Sequence, residues 1–233
     1  MAIKKAFLLC GGKGTRLRPI TYEIPKALVP VQGRALLEHL LDLLKKHDVK
    51  KMLISVGYLK EMIEKHFGDG SKFGVDIMYI VENKPLGTAG PLRLARDLLD
   101  ETFIVSNGDE LKDIDIKRMH ELHKRNDALV TIALTKVDDP AMYGVAKMEG
   151  DKILEFKEKP KNPPSNLINS GFYIIEPEVL EMVPNGPSSL ERDVFPKIAE
   201  KGRLFGFPFS GQWFDCGNME RYEKALKEWK GIK

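Results

Sequence analysis

Between residues 5 and 137 the chain alternates short apolar runs with segments that carry apolar residues at helical spacing. KAFLLC at 5–10 stops at two glycines and reads as a buried strand. ALLEHLLDLLKKH at 35–47 has a leucine stripe and a basic end that suits the C-terminus of a helix. MLISVG at 52–57 predicts a strand, Lys60–His66 a short helix, and DIMYIVE at 76–82 a third strand. PLRLARDLL at 91–99 reads as a helix, FIVSNGD at 103–109 as a strand, IDIKRMHELHKRN at 114–126 as a helix and ALVTIALTKV at 128–137 as a strand. This order predicts an α/β fold: a Rossmann-like mixed, mainly parallel sheet with helices on both faces. Ligands of such sheets bind outside the carboxyl ends of the strands. The loop Gly11–Arg16 and the segment Asn107–Asp109 both follow strand ends.

The pattern changes after residue 137. VAKMEGDKILEFKEK at 145–159 predicts a hairpin turning at Glu149–Asp151, and KPKNPPSN a Pro-rich loop. LINSGFYII at 167–175 reads as a strand. SLERDVFPKIAEK reads as a helix capped by Ser188 or Ser189. RLFGFPF predicts a strand and NMERYEKALKEWK a closing helix. A length of 233 residues favours one large domain with two functional halves, 1–137 for a nucleotide and 138–233 for a second substrate. No hexapeptide repeat of a C-terminal β-helix occurs in the sequence.

Composition excludes several function classes. With 37 Lys+Arg against 34 Asp+Glu the net charge is +3, and no basic block is long enough for a nucleic-acid arm. No apolar run approaches the roughly 20 residues of a membrane span, and the N-terminus lacks the apolar core of a signal peptide. Cys10 and Cys216 make neither a disulfide framework nor a zinc site. These features predict a cytoplasmic protein that needs neither nucleic acid nor membrane as a partner; homo-oligomerisation is left open.

The chemistry begins at Leu9. In LCGGKGTRLRPIT, three glycines (Gly11, Gly12, Gly14) let the backbone approach a ligand and turn its N–H groups inward. Arg16 adds a planar charged fork, and Lys26, in IPKALVP, a second cation. This is a candidate polyphosphate cradle. It is not a Walker loop or a dinucleotide fingerprint, because neither spacing is present. Taken alone, the turn reads equally well as a glycine-rich connection beside solvated cations. His120 and His123, three apart on a helix, have no third ligand and read as structural. Asp113 and Asp115 suit the start of that helix.

GGKGTRLRPIT followed by PKALVPV resembles the signature of the sugar-1-phosphate nucleotidylyltransferases, whose fold is the nucleotide-diphospho-sugar transferase type. The likeness continues in order through KPLGTAGPL (84–92), SNGD (106–109), EFKEKP (155–160), INSGFYI (168–174) and WFDCGN (213–218), nearly the whole chain. PLGTAGPLRLARDLL and SLERDVFPKIA look most like the mannose-1-phosphate guanylyltransferase branch. The resemblance implies a nucleoside triphosphate and a sugar 1-phosphate as substrates, with Mg²⁺ as cofactor. It implies that Leu9, Gly11, Gly12, Gly14, Thr15, Arg16, Glu82, Gly87 and Thr88 bind the nucleotide. Asn107, Gly144, Glu158, Lys159 and Asn169 are the implied sugar-phosphate contacts, and Asp109 and Asp215 the implied metal carboxylates. Arg16, Lys26 and Lys159 are the expected catalytic cations. Glu82 leans toward guanine, because a carboxylate only accepts hydrogen bonds and guanine offers two adjacent donors. The same chemistry on uridine or thymidine triphosphate with glucose 1-phosphate, or on guanosine triphosphate with a heptose 1-phosphate, remains an alternative. So does a non-catalytic subunit that binds a nucleotide sugar.

Overall fold

The computed structural model describes residues 2–232. Its strands are β1 Lys5–Cys10, β2 Pro30–Val31, β3 Arg34–Ala35, β4 Lys51–Val56, β5 Asp76–Val81, β6 Phe103–Asn107, β7 Glu110–Lys112, β8 Val130–Lys136, β9 Gly144–Glu149, β10 Lys152–Glu158, β11 Leu167–Ile175, β12 Leu204–Pro208 and β13 Trp213–Asp215. The helices are α1 Ile20–Glu23, α2 Leu36–Lys46, α3 Lys60–Phe67, α4 Gly90–Leu94, α5 Ile116–Arg125, α6 Phe195–Glu200 and α7 Met219–Glu228. Two compact units divide them: Met1–Pro85 with Ser106–Ile114 and Gly211–Lys233, and Leu86–Val105 with Asp115–Ser210.

In the first unit β5, β4 and β1 lie side by side and parallel. The register runs Lys5↔Lys51↔Asp76 at one end to Cys10↔Val56↔Val81 at the other. The three carboxyl ends are therefore level, so Gly11, Gly57 and Glu82 follow them in one row. Leu36, Leu37, Leu40, Leu41, Leu43 and Leu44 of α2 are buried, as the leucine stripe predicts. A second core gathers Leu17, Val29, Val31, Leu36, Leu111, Cys216, Tyr222, Ala225 and Trp229. The Trp229 ring meets His39 edge-on, and its Nε1–H donates to His39 Nδ1 at 3.3 Å. β7 and β13 form an antiparallel ribbon that the sequence does not predict: β7 lies between the strand expected at 103–109 and the helix expected at 114–126, and β13 lies within the WFDCGN motif; Phe214 pairs with Leu111, and Asp215 with Glu110.

In the second unit the strand order is β6-β11-β8-β12-β10-β9. β8 pairs antiparallel with β11 and parallel with β12, while the β9–β10 hairpin is antiparallel and turns at Gly150–Asp151 as expected. The sheet is thus mixed and the fold class α/β, with the parallel pairings of β1, β4 and β5 in the first unit and antiparallel ones prevailing in the second. The register of β11 slips between Asn169 and Tyr173, where Gly171 has φ +61°. Asp115 caps α5, accepting from Arg118 N–H at 3.0 Å. His123 is buried, held by Thr131 Oγ1 at 2.8 Å and Glu176 Oε1 at 3.0 Å, a structural role as its sequence context reads.

Two predicted helices are modified. The 91–99 segment is helical only to Leu94 and continues as a tight turn over Arg96–Leu98. The 189–201 segment starts as a wide π-type turn, Leu190–Val194, capped by Ser189, before α6. The wide turn closes through Phe195 N–H on Leu190 C=O, and Pro196 then stands in the first turn of α6, where its missing N–H costs no helical bond.

Trp229 is 2% exposed at the centre of the second core. Trp229→Ala should cost about 3–5 kcal/mol, read as a lower midpoint in urea unfolding; a midpoint within error of wild type would remove Trp229 from the core that carries the β7–β13 ribbon.

Candidate active site

The first unit positions the glycine loop and the Glu82 carboxylate through the level strand ends. Gly11 lies directly against Glu82: a Cβ on Gly11 would run into Glu82 Oε1. A side chain at position 11 would have to push the Glu82 carboxylate away from Ser55. Ser55 Oγ donates to the same Oε1 at 2.5 Å, and Glu82 N–H is held by Val56 C=O at 2.8 Å. Glu82 is half-buried and fixed, not a solvated side chain at random. Gly14 is left-handed (φ +61°) and starts the short turn Thr15–Leu17, which leaves Arg16 exposed. Thr21 Oγ1 donates to Gly14 C=O at 2.8 Å and ties the loop down. Leu9 is half-buried on β1, and its C=O accepts from Gly108 N–H at 3.1 Å.

The ribbon β7–β13 sorts its side chains by strand alternation. Leu111 and Phe214 turn into the Trp229 core. Glu110, Lys112, Trp213 and Asp215 share the other face, beside Asp109. Lys26 Nζ meets Asp109 Oδ2 at 2.5 Å, and Arg221 Nη1 meets Asp215 Oδ2 at 2.5 Å. Lys112 Nζ stands 3.3 Å from Glu110 Oε2, with the Lys112 side chain 1% exposed. Asn107 Nδ2 donates to Glu110 Oε1 at 2.7 Å and Trp213 Nε1 to Glu110 Oε2 at 2.9 Å. Asp109, Lys26 and Asp215 were named from sequence. Glu110, Lys112 and Arg221 were not; the i, i+2 spacing of Glu110 and Lys112 puts them on one face only given the strand β7.

Burial pushes the Glu110 carboxyl up and, despite Glu110, the Lys112 ammonium down. Burial alone would lower Lys26, but Asp109, and then Asp215 and Glu110, outweigh it and raise it. Burial likewise works against the Asp109 charge, yet the adjacent ammonium of Lys26 holds that carboxyl below its usual range. Among the described residues no group of three or more His, Cys, Asp or Glu side chains is arranged to hold a metal alone. A pair of carboxylates is what Mg²⁺ asks of a protein, since it keeps waters and takes substrate phosphates. Gly217 leaves room at Asp215, where a Cβ would stand 2.6 Å from Oδ1. The donor set fits a hard divalent cation.

The second unit holds the remaining predicted residues. Glu158 ends β10, and Gly144, which starts β9, lies under Phe156 and Glu158. Burial raises the Glu158 carboxyl, and Glu191 raises it further. Lys159 takes a left-handed backbone (φ +48°) with its N–H on Tyr143 C=O at 3.0 Å, and its Nζ is 3.8 Å from Glu158 Oε1. Asn169 Nδ2 donates to Tyr173 Oη at 2.8 Å. Gly87 has φ +78° and abuts Ser188 C=O so closely that no Cβ would fit. Thr88 Oγ1 donates to Glu191 Oε2 at 2.6 Å. Thus Leu9, Gly11, Gly12, Gly14, Thr15, Arg16, Lys26, Glu82, Asn107, Asp109 and Asp215 belong to one unit, and Gly87, Thr88, Gly144, Glu158, Lys159 and Asn169 to the other.

With its folded-state carboxyl held below the unfolded value of about 3.9, Asp109 adds stability at neutral pH that fades as pH falls through the folded-state value. Lys26→Met should raise the Asp109 pKa, followed by carbon-13 NMR titration, and shrink the acid-side loss of stability. An Asp109 titration unmoved by that substitution would mean that Lys26 does not hold the carboxylate.

The chain matches the Nucleotidyl transferase family over residues 5–230. It is 42% identical over 224 residues to the mannose-1-phosphate guanylyltransferase catalytic subunit beta of Xenopus tropicalis, covering 94% of this chain and 62% of that protein. The chain therefore spans less than two thirds of the length of the curated relatives it matches. A Bacillus anthracis structure solved with a sucrose aligns at TM-score 0.90 and 29% identity, over 99% of this chain and 96% of that one. A UDP-glucose pyrophosphorylase solved with UDP-glucose aligns at TM-score 0.85 and 25% identity, over 97% and 98%. No helix among the described residues is long and apolar enough to cross a membrane. Six sequence motifs in the family's order, a matching fold and a match over residues 5–230 agree: the chain belongs to the nucleotidyl transferase family.

Proposed function

We propose that this chain transfers a nucleoside monophosphate from a nucleoside triphosphate to a sugar 1-phosphate, with GTP and mannose 1-phosphate as the favoured pair and Mg²⁺ as cofactor. The observation that carries the reading is the charged face around Asp109: two carboxylates, Asp109 and Asp215, each already engaged by a cation, follow the glycine loop in the same unit. The 42% identity to a mannose-1-phosphate guanylyltransferase subunit supports the substrate pair. Glu82 supports the base: Ser55 fixes a carboxylate that can only accept hydrogen bonds, beside Gly11 where the base edge would arrive.

In this mechanism no strong general base is required, because a sugar phosphate with a second pKa of about 6 is already largely a dianion near pH 7. One of its oxygens forms a bond to the α-phosphorus as the bond between that phosphorus and the bridging oxygen breaks, and pyrophosphate leaves. Arg16 neutralises the triphosphate. Lys26 holds Asp109 and lends positive charge nearby. Lys159 steers the sugar phosphate, and Glu158 accepts sugar hydroxyls. Mg²⁺, held by Asp109 and Asp215, would supply charge neutralisation for the triphosphate. Catalysis on this account is positioning plus electrostatic stabilisation. We further assign cytoplasmic work without nucleic acid or membrane partners, and one functional assembly of a nucleotide half (1–137) and a sugar-phosphate half (138–233). The likeness to a UDP-glucose pyrophosphorylase favours one second reading, uridine triphosphate with glucose 1-phosphate.

A matrix of triphosphates against sugar 1-phosphates, read by pyrophosphate release, tests the pair; highest turnover with GTP and mannose 1-phosphate is expected, and highest turnover with another pair replaces it. Asp109→Ala and Asp215→Ala should each abolish Mg²⁺-dependent release in folded protein, and near wild-type turnover in either would sink the metal assignment. Arg16→Ala should cost about 10²–10³ in rate. Lys159→Ala should raise KM for the sugar phosphate more than that for the triphosphate. Glu82→Gln should relax the base preference; an unchanged profile would take Glu82 out of base reading.

A further inference from the structure

Glu191, from the wide turn Leu190–Val194, is the carboxylate on which three segments of the second unit converge. Its Oε2 accepts from Thr88 Oγ1 at 2.6 Å and from Ser189 Oγ at 2.7 Å, and its Oε1 accepts from Tyr173 Oη at 3.2 Å. Tyr173 Oη accepts in turn from Asn169 Nδ2 at 2.8 Å, and Asn169 Oδ1 accepts from Gly171 N–H at 2.9 Å. Thr88 Oγ1 also accepts from Leu190 N–H at 2.9 Å, which closes the turn onto the 86–90 segment.

This relay has an unusual geometric origin. Residues four apart in a regular strand lie about 13 Å apart along it, at roughly 3.3 Å per residue. Asn169 and Tyr173 nevertheless touch, because β11 loses register between them and Gly171 bends left-handed. A bulge that re-aims two polar side chains toward each other and onto a half-buried carboxylate serves no packing purpose that an apolar pair could not serve. Hydroxyl donors on a carboxylate make charge-assisted bonds, stronger and more geometrically demanding than neutral ones.

We infer that Glu191 is a positioning residue for the sugar-phosphate end of the site: through Tyr173 it fixes the amide of Asn169, and through Thr88 it fixes the 86–90 segment. The inference rests on the proposed nucleotidyl transfer for its kinetic consequence but not for its structural one. Glu191 also faces Glu158 electrostatically, so the sugar end carries two carboxylates against Lys159 and Arg192. A ring that brings hydroxyl donors suits that environment, and a ring that brings a carboxylate of its own does not.

The test uses the full chain and two arms. In the first, nitrogen-15 NMR follows the side-chain amide of Asn169 in wild type, Glu191→Ala, Glu191→Gln and Tyr173→Phe. The Asn169 amide protons should be protected from exchange in wild type and should lose about tenfold in protection in Glu191→Ala and in Tyr173→Phe, with Glu191→Gln between. Retained protection in folded Glu191→Ala overturns the inference, whatever substrate the protein uses. In the second arm, KM for mannose 1-phosphate and for GTP are measured for the same variants and for the double variant. Glu191→Ala and Tyr173→Phe should each raise the sugar-phosphate KM about tenfold. Tyr173→Phe should leave the GTP KM unchanged, and the double variant should be no worse for the sugar phosphate than Glu191→Ala alone. Effects that multiply in the double variant overturn the relay. A wild type inactive on every sugar phosphate, with the NMR result as expected, would instead refute the proposed function and leave standing the fixing of Asn169 by Glu191 through Tyr173.

Discussion

A two-stranded ribbon of three residues a side cannot hold itself together in water, yet β7–β13 carries Asp215 and directly follows Asp109. What holds it is its apolar face: Leu111 and Phe214 are anchored in the core around Trp229, which α7 and the β2–β3 segment complete. Burying that face fixes the register that sets Asp215 opposite Glu110. A slip of one residue would turn Asp215 into the core and Phe214 toward the charged face. The arrangement of the carboxylates is thus decided by hydrophobic packing on the opposite side of the ribbon. The cations Lys26, Lys112 and Arg221 then make the clustering of Asp109, Glu110 and Asp215 tolerable, since unpaired buried charges would cost several kcal/mol each.

The same division of labour appears at the glycine loop. The parallel register of β1, β4 and β5 makes three strand ends level, and the residues that follow them meet: Gly11 against Glu82, and Gly57 against the Gly11 carbonyl. The sheet contributes only the row. The small residues in that row make the contact, which is why the loop can bring its backbone so close to a side chain from seventy positions downstream.

The strands and helices were legible because each carries its period openly, as in the leucine stripe of α2 and the apolar run of β1. The alternation that announced an α/β fold lies chiefly in the first 137 residues, and the mixed pairing of the second unit had to come from the hairpin signal and the structure. The cations and carboxylates proposed for catalysis were legible because they sit in ordered motifs. Less visible were groups that act across strands. Glu110 and Lys112 form a pair only once β7 exists as a separate strand, and three residues are too few to show alternation. Glu191 looked like one more charge in a capped helix, because neither the wide turn Leu190–Val194 nor the bulge at Gly171 has a local sequence period.

The docking of Leu86–Gly90 onto Ser188–Leu190 has a consequence for anyone wishing to vary either stretch. Gly87 abuts the Ser188 carbonyl, Ser188 N–H donates to Leu86 C=O at 2.9 Å, and Ala89 N–H returns to Ser188 C=O at 3.0 Å. Two stretches a hundred positions apart therefore behave as a single mutational block. Libraries that randomise either stretch by itself will be dominated by misfits, and productive diversity will appear only when both are varied together, so the two should be exchanged between homologues as one cassette.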